Sequence, residues 1–354
     1  MRFDLSEEQY MLRDSIEAAF SEYNTNGKIQ SRYDSPIRFD KSAWIRQIDM
    51  GLAGVMVSIE RGGSNLDILT LSNVSEMNGY YAISTPLEYQ ALAAWALALS
   101  GNVDLIDRWL DSIISGDIKA TIALTEPTGS CPEDWSIDDV SLNGEKMFVP
   151  FAGDADVILV GVRGGGISLV VLGDEQVEIS PIETLDRSRP LFTVTFREAR
   201  GNPLGENIGS RLYDALLIVL AADAFGAAKQ CLEMATDYVK TREQFGRSIA
   251  EFQAVKHQLA KCALDLEPSR FLYWHAAYCW DTSSLDASRH ASLAKLHIAN
   301  VAVKTARLAV ELHGGIGFTW EYPLQIWLKR AMADQGFYGG AATQATRVSE
   351  SSGW

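Results

Sequence analysis

The order of textures along this 354-residue chain limits the folds open to it more than any single motif. Helix-like spacing of apolar residues comes first, a strand-rich stretch follows, and helix-like spacing then resumes and persists. Phe3, Leu5, Tyr10, Leu12, Ile16, Ala19 and Phe20 recur at helical intervals, with Ser6 and Glu7/Glu8 as a helix start. The pattern breaks over residues 24–40, around Pro36, resumes from Lys41 to Met50, and loops at Glu60-Arg-Gly-Gly63. From Leu66 to Ser115 the run of Ala, Leu and small residues predicts packed helices. Residues 119–200 are rich in Val, Ile and Thr, with expected turns at Asn143-Gly144 and Gly164-Gly165-Gly166. Val157–Val162 and Ile167–Leu172 flank the triple glycine as a hairpin, and Thr193–Phe196 reads as another strand. Beyond Gly205 three long helices are expected: Leu212–Tyr238; Phe252–Tyr278, which Pro268 should kink or divide; and Ser288–Leu312. Segregated helices, strands and helices mean α+β, with layers that do not interleave. The expected divisions are an N-terminal helical domain over 1–117, a β domain over 118–204 and a helical bundle over 205–354.

Charge and cysteine usage remove several function classes. The formal net charge of −15 argues against a nucleic-acid partner, whose phosphates call for clustered Lys and Arg. It leaves room for a small polyanionic cofactor, which a few arginines and backbone amides can hold. Cys131, Cys231, Cys262 and Cys279 contain no Cys-x-x-Cys pair, so reduced thiols in a cytoplasmic protein are expected and metal-ligand spacing is not seen. Met1–Gln9 lacks the apolar core of a signal peptide, and no uninterrupted apolar run reaches the roughly 18 residues of a membrane span.

Four segments carry a resemblance. Ala123-Leu-Thr-Glu-Pro127 is followed by Gly129-Ser130; Lys146-Met-Phe148 leads to Ala155-Asp156; Arg242-Glu-Gln-Phe-Gly246 stands between two helices; and Leu312-His-Gly-Gly-Ile-Gly-Phe-Thr-Trp-Glu-Tyr-Pro323 ends the last long one. In this order, over nearly the whole chain, they resemble the acyl-CoA dehydrogenase family. The resemblance implies an N-terminal helical domain, a middle β-barrel-like domain, a C-terminal four-helix bundle and a tetramer. It implies FAD as cofactor, an acyl-CoA as substrate and electron-transferring flavoprotein as the acceptor of electrons. Thr125 and Ser130 would hydrogen-bond the flavin edge, although the segment before Ser130 is one residue short and Cys131 replaces the usual Asp. Phe148 stands where many members have Trp, either stacked on the flavin or part of the strand core. Arg242 and Phe245 would reach the FAD of a neighbouring subunit, with the guanidinium fork on the pyrophosphate. Phe252 and Gln253 share that pattern or serve packing. Gly314 and Gly315 would let backbone amides approach the adenosine pyrophosphate, and Glu311, repulsive there, would point away. The Trp320-Glu321 variant resembles heteromeric members acting on steroid side-chain CoA thioesters.

Family chemistry removes an α-proton with a glutamate while hydride leaves Cβ for the flavin. In the two positions that supply this glutamate the chain has Gly339 and Leu216-Leu217. Asp214 reads as a helix cap, and Glu206 and Glu321 match no motif. No catalytic residue is therefore assigned. The expectation is one subunit of a hetero-oligomer, a heterotetramer by family habit, whose homologous partner carries the base. The alternatives are a scaffold without flavin, or a flavin monooxygenase or dehydratase on the same fold. Leu216, Leu217, Leu220 and Ala221 fit either an apolar substrate pocket or bundle core.

Overall fold

The structure, a computed structural model, describes residues 4–24, 28–35, 39–205 and 208–353. Phe3, Pro36 and Glu206 lie outside these. The N-terminal part is helical: α1 (Glu7–Phe20), α2 (Lys28–Asp34), α3 (Lys41–Asp49), α4 (Ile68–Tyr81), α5 (Leu87–Leu99) and α6 (Val103–Ile114). Short polar side chains satisfy the free amides of the first turns. Ser6 and Gln9 form a reciprocal capping box on α1, Asp40 caps α3, Asp67 caps α4 and Asn102 caps α6.

The strands follow as β1 (Ala120–Ala123), β2 (Ser141–Pro150), β3 (Val157–Val162), β4 (Gly166–Val171), β5 (Val177–Ile182), β6 (Leu191–Arg200) and β7 (Asn202–Pro203). They form two sheets, ordered β1-β3-β4-β7 and β2-β6-β5. β1 runs parallel to β3, and the other pairs are antiparallel. Ile158, Val160 and Val170 of the first sheet share one apolar core with Leu142, Val194 and Phe196 of the second. The β3–β4 hairpin turns through Gly164 and Gly165, both at positive φ. Asn143-Gly144, read as a turn, instead lies inside β2, where the register against β6 shifts between Leu142 and Asn143. An Asn-Gly pair accommodates a bulge for the same reason it accommodates a turn, namely tolerance of unusual φ.

The remainder is α7 (Ile208–Thr241), a small hairpin of β8 (Glu243–Gln244) and β9 (Arg247–Ser248), α8 (Gln253–Leu266), α9 (Arg270–Asp281), α10 (Ala287–His313), α11 (Leu324–Gly336) and α12 (Ala341–Ser351). Pro268 sits in a single 3-10 turn that divides α8 from α9. α7 is long and apolar enough to cross a membrane by length and composition, yet 83% of its most apolar stretch is buried inside the protein. Leu216, Leu217, Leu220 and Ala221 belong to that buried core. Asp214 is not a cap. It lies within α7, buried, where Arg347 Nη2 donates to it from 3.0 Å and Ser288 Oγ from 2.5 Å.

Two glycines let α4 and α7 touch backbone to backbone. A Cβ on Gly79 would fall 2.0 Å from the Asp223 carbonyl oxygen, and one on Gly226 would fall 1.8 Å from that of Glu76. At the same crossing Glu76, almost wholly buried, receives Arg13, Arg270 and the Tyr273 hydroxyl. A second buried charge cluster joins the chain ahead of β6 to α7 and α11. Arg330 grips Asp223 through Nε and Nη2, at 2.9 and 2.5 Å, while Arg189 lies against Asp186, Asp223 and Asp334.

Candidate functional site

Between the β layer and α11 lies a cavity of about 430 Å³. Thr125, Ser130 and Phe148 line it from the β side, and Met332, Phe337, Tyr338 and Gly339 from the helical side. Leu191, Asp186, Arg189 and Lys329 add to its wall. Three residues singled out in sequence thus meet in one place, opposite the glycine that stands where a glutamate was looked for.

Each is positioned by an identifiable local device. Thr125 and Ser130 flank a tight turn in which Glu126 and Gly129 exchange backbone hydrogen bonds, leaving their hydroxyl oxygens 3.3 Å apart. The turn is anchored by Glu126, whose buried carboxylate accepts from Lys146 Nζ at 2.8 Å, from the Ser136 hydroxyl at 2.6 Å and from the Ser136 amide. Burial alone would raise this carboxyl group, but Lys146 and Ser136 together hold it below the usual carboxylate range. Lys146, with one carboxylate partner and no exposure, is pushed down by burial to about 8. The asymmetry follows from partner number, because the carboxylate has several donors and the ammonium has a single counter-charge.

Phe148 sits on the same strand at φ 54°, within the register shift between Lys146 and Val149. A bulge redirects a side chain out of the sheet's alternation, and here it leaves the ring 42% exposed toward the cavity. On the opposite wall Tyr338 and Gly339 both take positive φ, 50° and 89°. The Tyr213 hydroxyl and Gln344 Nε2 donate to the Tyr338 carbonyl at 2.5 and 2.9 Å and hold this strained pair in place. A Cβ on Gly339 would come 2.7 Å from Thr343 Cγ2, so this backbone resists any side chain at that position. Among the described residues, Asp186 is the single carboxylate lining the cavity. It is engaged already: its Oδ1 accepts from the Ser188 amide and hydroxyl, and its Oδ2 lies 3.6 Å from Arg189 Nε. Glu321 does not line the cavity, and neither does Asp214.

Arg242, Phe245, Gly314 and Gly315 do not line the cavity either. Gln244 pairs with Arg247, so Phe245 and Gly246, at φ 56° and 79°, form the tip of a two-residue hairpin. Arg242 is exposed beside it, and the Phe245 ring is 92% exposed, touching Phe252 edge to face. Gly314 ends α10 at φ 63°, ψ −141°, a conformation open to glycine. A Cβ on Gly314 or Gly315 would meet nothing within 4 Å, so internal packing does not require glycine at either position. His313 fixes the turn by stacking on Tyr238 and contacting the Tyr322 hydroxyl. Glu311 is exposed and faces a separate groove.

Sequence reading missed Arg189, Tyr213, Tyr338 and Gln344. Their roles depend on contacts across more than a hundred positions, such as Tyr213 to Tyr338, which leave no local pattern. The buried Tyr338 hydroxyl has no hydrogen-bond partner among the described residues.

Comparison with known proteins completes the description. The model for the N-terminal domain of acyl-CoA dehydrogenases matches residues 6–117, and that for their C-terminal domain matches residues 218–352. An acyl-CoA dehydrogenase of Mycolicibacterium smegmatis, IpdE2, is 27% identical over 345 residues, covering 97% of this chain and 98% of the relative. The CarC subunit of the caffeyl-CoA reductase-Etf complex of Acetobacterium woodii is 28% identical over 90% of this chain and 91% of its own. Among solved structures, the Tcur3481-Tcur3483 steroid ACAD, solved as a variant, superimposes with a TM-score of 0.91 at 27% identity over 98% of both chains.

Proposed function

Because the chain belongs to the acyl-CoA dehydrogenase family, we propose that it is the base-less subunit of a hetero-oligomeric, FAD-dependent acyl-CoA dehydrogenase. Its homologous partner subunit supplies the glutamate that removes the α-proton. One observation carries this reading. The cavity retains Thr125, Ser130 and Phe148 but faces Gly339 and a pinned Asp186, while the second set of flavin-binding candidates points outward, away from that cavity.

The residues present fit a dinucleotide. Two hydroxyls at one edge of a largely apolar cavity suit a flavin ring, and the open backbone at Gly314-Gly315 and the exposed Arg242 each suit a pyrophosphate approaching from outside. FAD supplies the hydride acceptor when bound. The chain's own contributions are to orient and to shield. Arg242 neutralises phosphate charge at a neighbouring subunit, Phe245 covers the ring system there with its exposed side chain, and the Thr125–Ser130 hydroxyl pair presents donors to a polar ring edge. Asp186, the single carboxylate lining the cavity among the described residues, accepts from Ser188 through Oδ1 and faces Arg189 through Oδ2, so on this reading the proton step belongs to the partner.

The finer reading takes the substrate as a steroid side-chain CoA thioester and the acceptor as electron-transferring flavoprotein. It is supported by likeness to a steroid ACAD and to a subunit of an Etf complex. Co-expression with the homologous subunit, followed by measurement of FAD per protomer and turnover of CoA thioesters with an artificial acceptor, tests it. The pair is expected to be yellow and active, and the chain alone inactive. Ordinary desaturation by the chain alone would overturn the proposal. A colourless, inactive pair would favour a scaffold role.

A further inference from the structure

Away from the cavity and the Phe245 hairpin, one group of ligating side chains has no part in either. α9 carries His275 and Cys279 one helical turn apart, so both project from the same face. His290, in the first turn of α10, meets them across the loop over 282–286. The ligand atoms of all three lie within 4.8 Å of one another. His275 Nε2 is 3.6 Å from Cys279 Sγ, and the two imidazole rings meet edge to face with centroids 4.3 Å apart. Cys279 is buried and both histidines are half-buried, so the cluster opens to solvent through imidazole rather than through a bare thiol. Asp286 occupies the cap position of α10 without making a side-chain cap bond, and its charge acts on both Cys279 and His290. Arg289 faces the same two groups and lies 3.5 Å from Asp286 through Nε.

The geometry points to a transition-metal site in which His275, Cys279 and His290 bind one zinc-class divalent ion, with Asp286 or water in the fourth position. One thiolate and two imidazoles form a donor set for Zn²⁺ or its spectroscopic stand-in Co²⁺, not for Mg²⁺ or Ca²⁺, which take oxygen ligands. Metal–ligand bonds of about 2.0–2.3 Å place tetrahedral donors roughly 3.5 Å apart, so the three donors converge by about 1 Å through side-chain adjustment. Binding breaks the Cys279 S–H bond, forms a metal–sulfur bond and releases one proton to solvent, with no change in oxidation state. Such an ion would staple the end of α9 to the start of α10. It would also fix the rotation of α9, whose outward face exposes Phe271, Leu272 and Tyr278.

Chelator-treated full-length chain titrated with Co²⁺, then Zn²⁺, tests the assignment. The expected result is one Co²⁺ per chain, a sulfur-to-cobalt charge-transfer band, visible ligand-field bands of tetrahedral strength, and their loss as Zn²⁺ displaces cobalt. Zn²⁺ should also raise Tm by several degrees. Cys279→Ser should lose the charge-transfer band, and His275→Gln and His290→Gln should each weaken zinc binding at least tenfold. Cys262→Ser, a buried thiol elsewhere, should keep the band. A wild-type chain with no charge-transfer band, or a band that survives in Cys279→Ser, overturns the proposal. Because the wild-type spectrum is itself decisive, a variant that fails to fold does not leave the question open.

Discussion

Phe245 holds a left-handed backbone conformation, costing about 1–2 kcal/mol, with its ring 92% exposed and touching Phe252 edge to face. Phe245→Asn should therefore leave the isolated chain at least as stable in urea, while weakening association with the partner subunit and FAD retention by the pair. A loss of more than about 1 kcal/mol in the isolated chain would show that the ring works internally. Glu126 is the opposite case. Glu126→Gln strands Lys146 at a fully buried position and should cost about 3 kcal/mol by denaturant unfolding, with loss of the turn that presents Thr125 and Ser130. Gly339→Glu should not create a dehydrogenase from the chain alone, since φ 89° and the Thr343 methyl both oppose a side chain there. Desaturation by that single variant would refute this. At this scale the sequence was informative where a residue's type is bound to local backbone, as for Gly164 and Gly165 in their hairpin. It was silent where a residue's partner lies far along the chain. Asp214 looked like a cap because Arg347 and Ser288 are remote in sequence. The cysteine spacings showed no metal-ligand pattern, because His275 and Cys279 gain His290 only after the loop has folded back.

Among the elements, the α4–α7 crossing is tightly constrained. Gly226→Ala puts a methyl group into the Glu76 carbonyl, and the two backbones must separate. Loss of several kcal/mol, read as a large fall in Tm, is expected, whereas Gly164→Ala in an open hairpin turn costs only its unfavourable φ. Glu76 makes the same crossing sensitive to pH. Burial opposes its charge, yet Arg270 and Arg13 hold its pKa below the usual value. A carboxyl group whose folded pKa is depressed contributes stability above its unfolded pKa, near 4.5, and that contribution is lost as pH falls through the folded value. Glu76→Gln should thus weaken the protein at pH 7 and flatten the acid side of its stability profile. An unchanged acid slope would contradict this assignment. Helix positions were legible from period and punctuation, as Pro268 shows, but the crossing was not, because a glycine in a helix does not announce which neighbour it admits.

For the whole molecule, the segregated order of textures predicted the α+β class and its layers, since alternation with period two and recurrence with period 3.6 are properties of the chain itself. What it could not disclose is how the layers are bonded together. The Arg189–Asp334–Asp223–Arg330 cluster draws on positions spread over the second half of the chain, and no window contains them. That cluster and the glycine crossing both converge on α7, which consequently has no side left over for independence. Excising residues 205–354 should yield an insoluble or molten fragment, and calorimetry of the intact chain should show one transition rather than three. The modular look of the polypeptide is thus a matter of cartography rather than mechanics. Anyone wishing to shuffle such segments between relatives would have to transplant both sides of the Gly79–Gly226 contact at once.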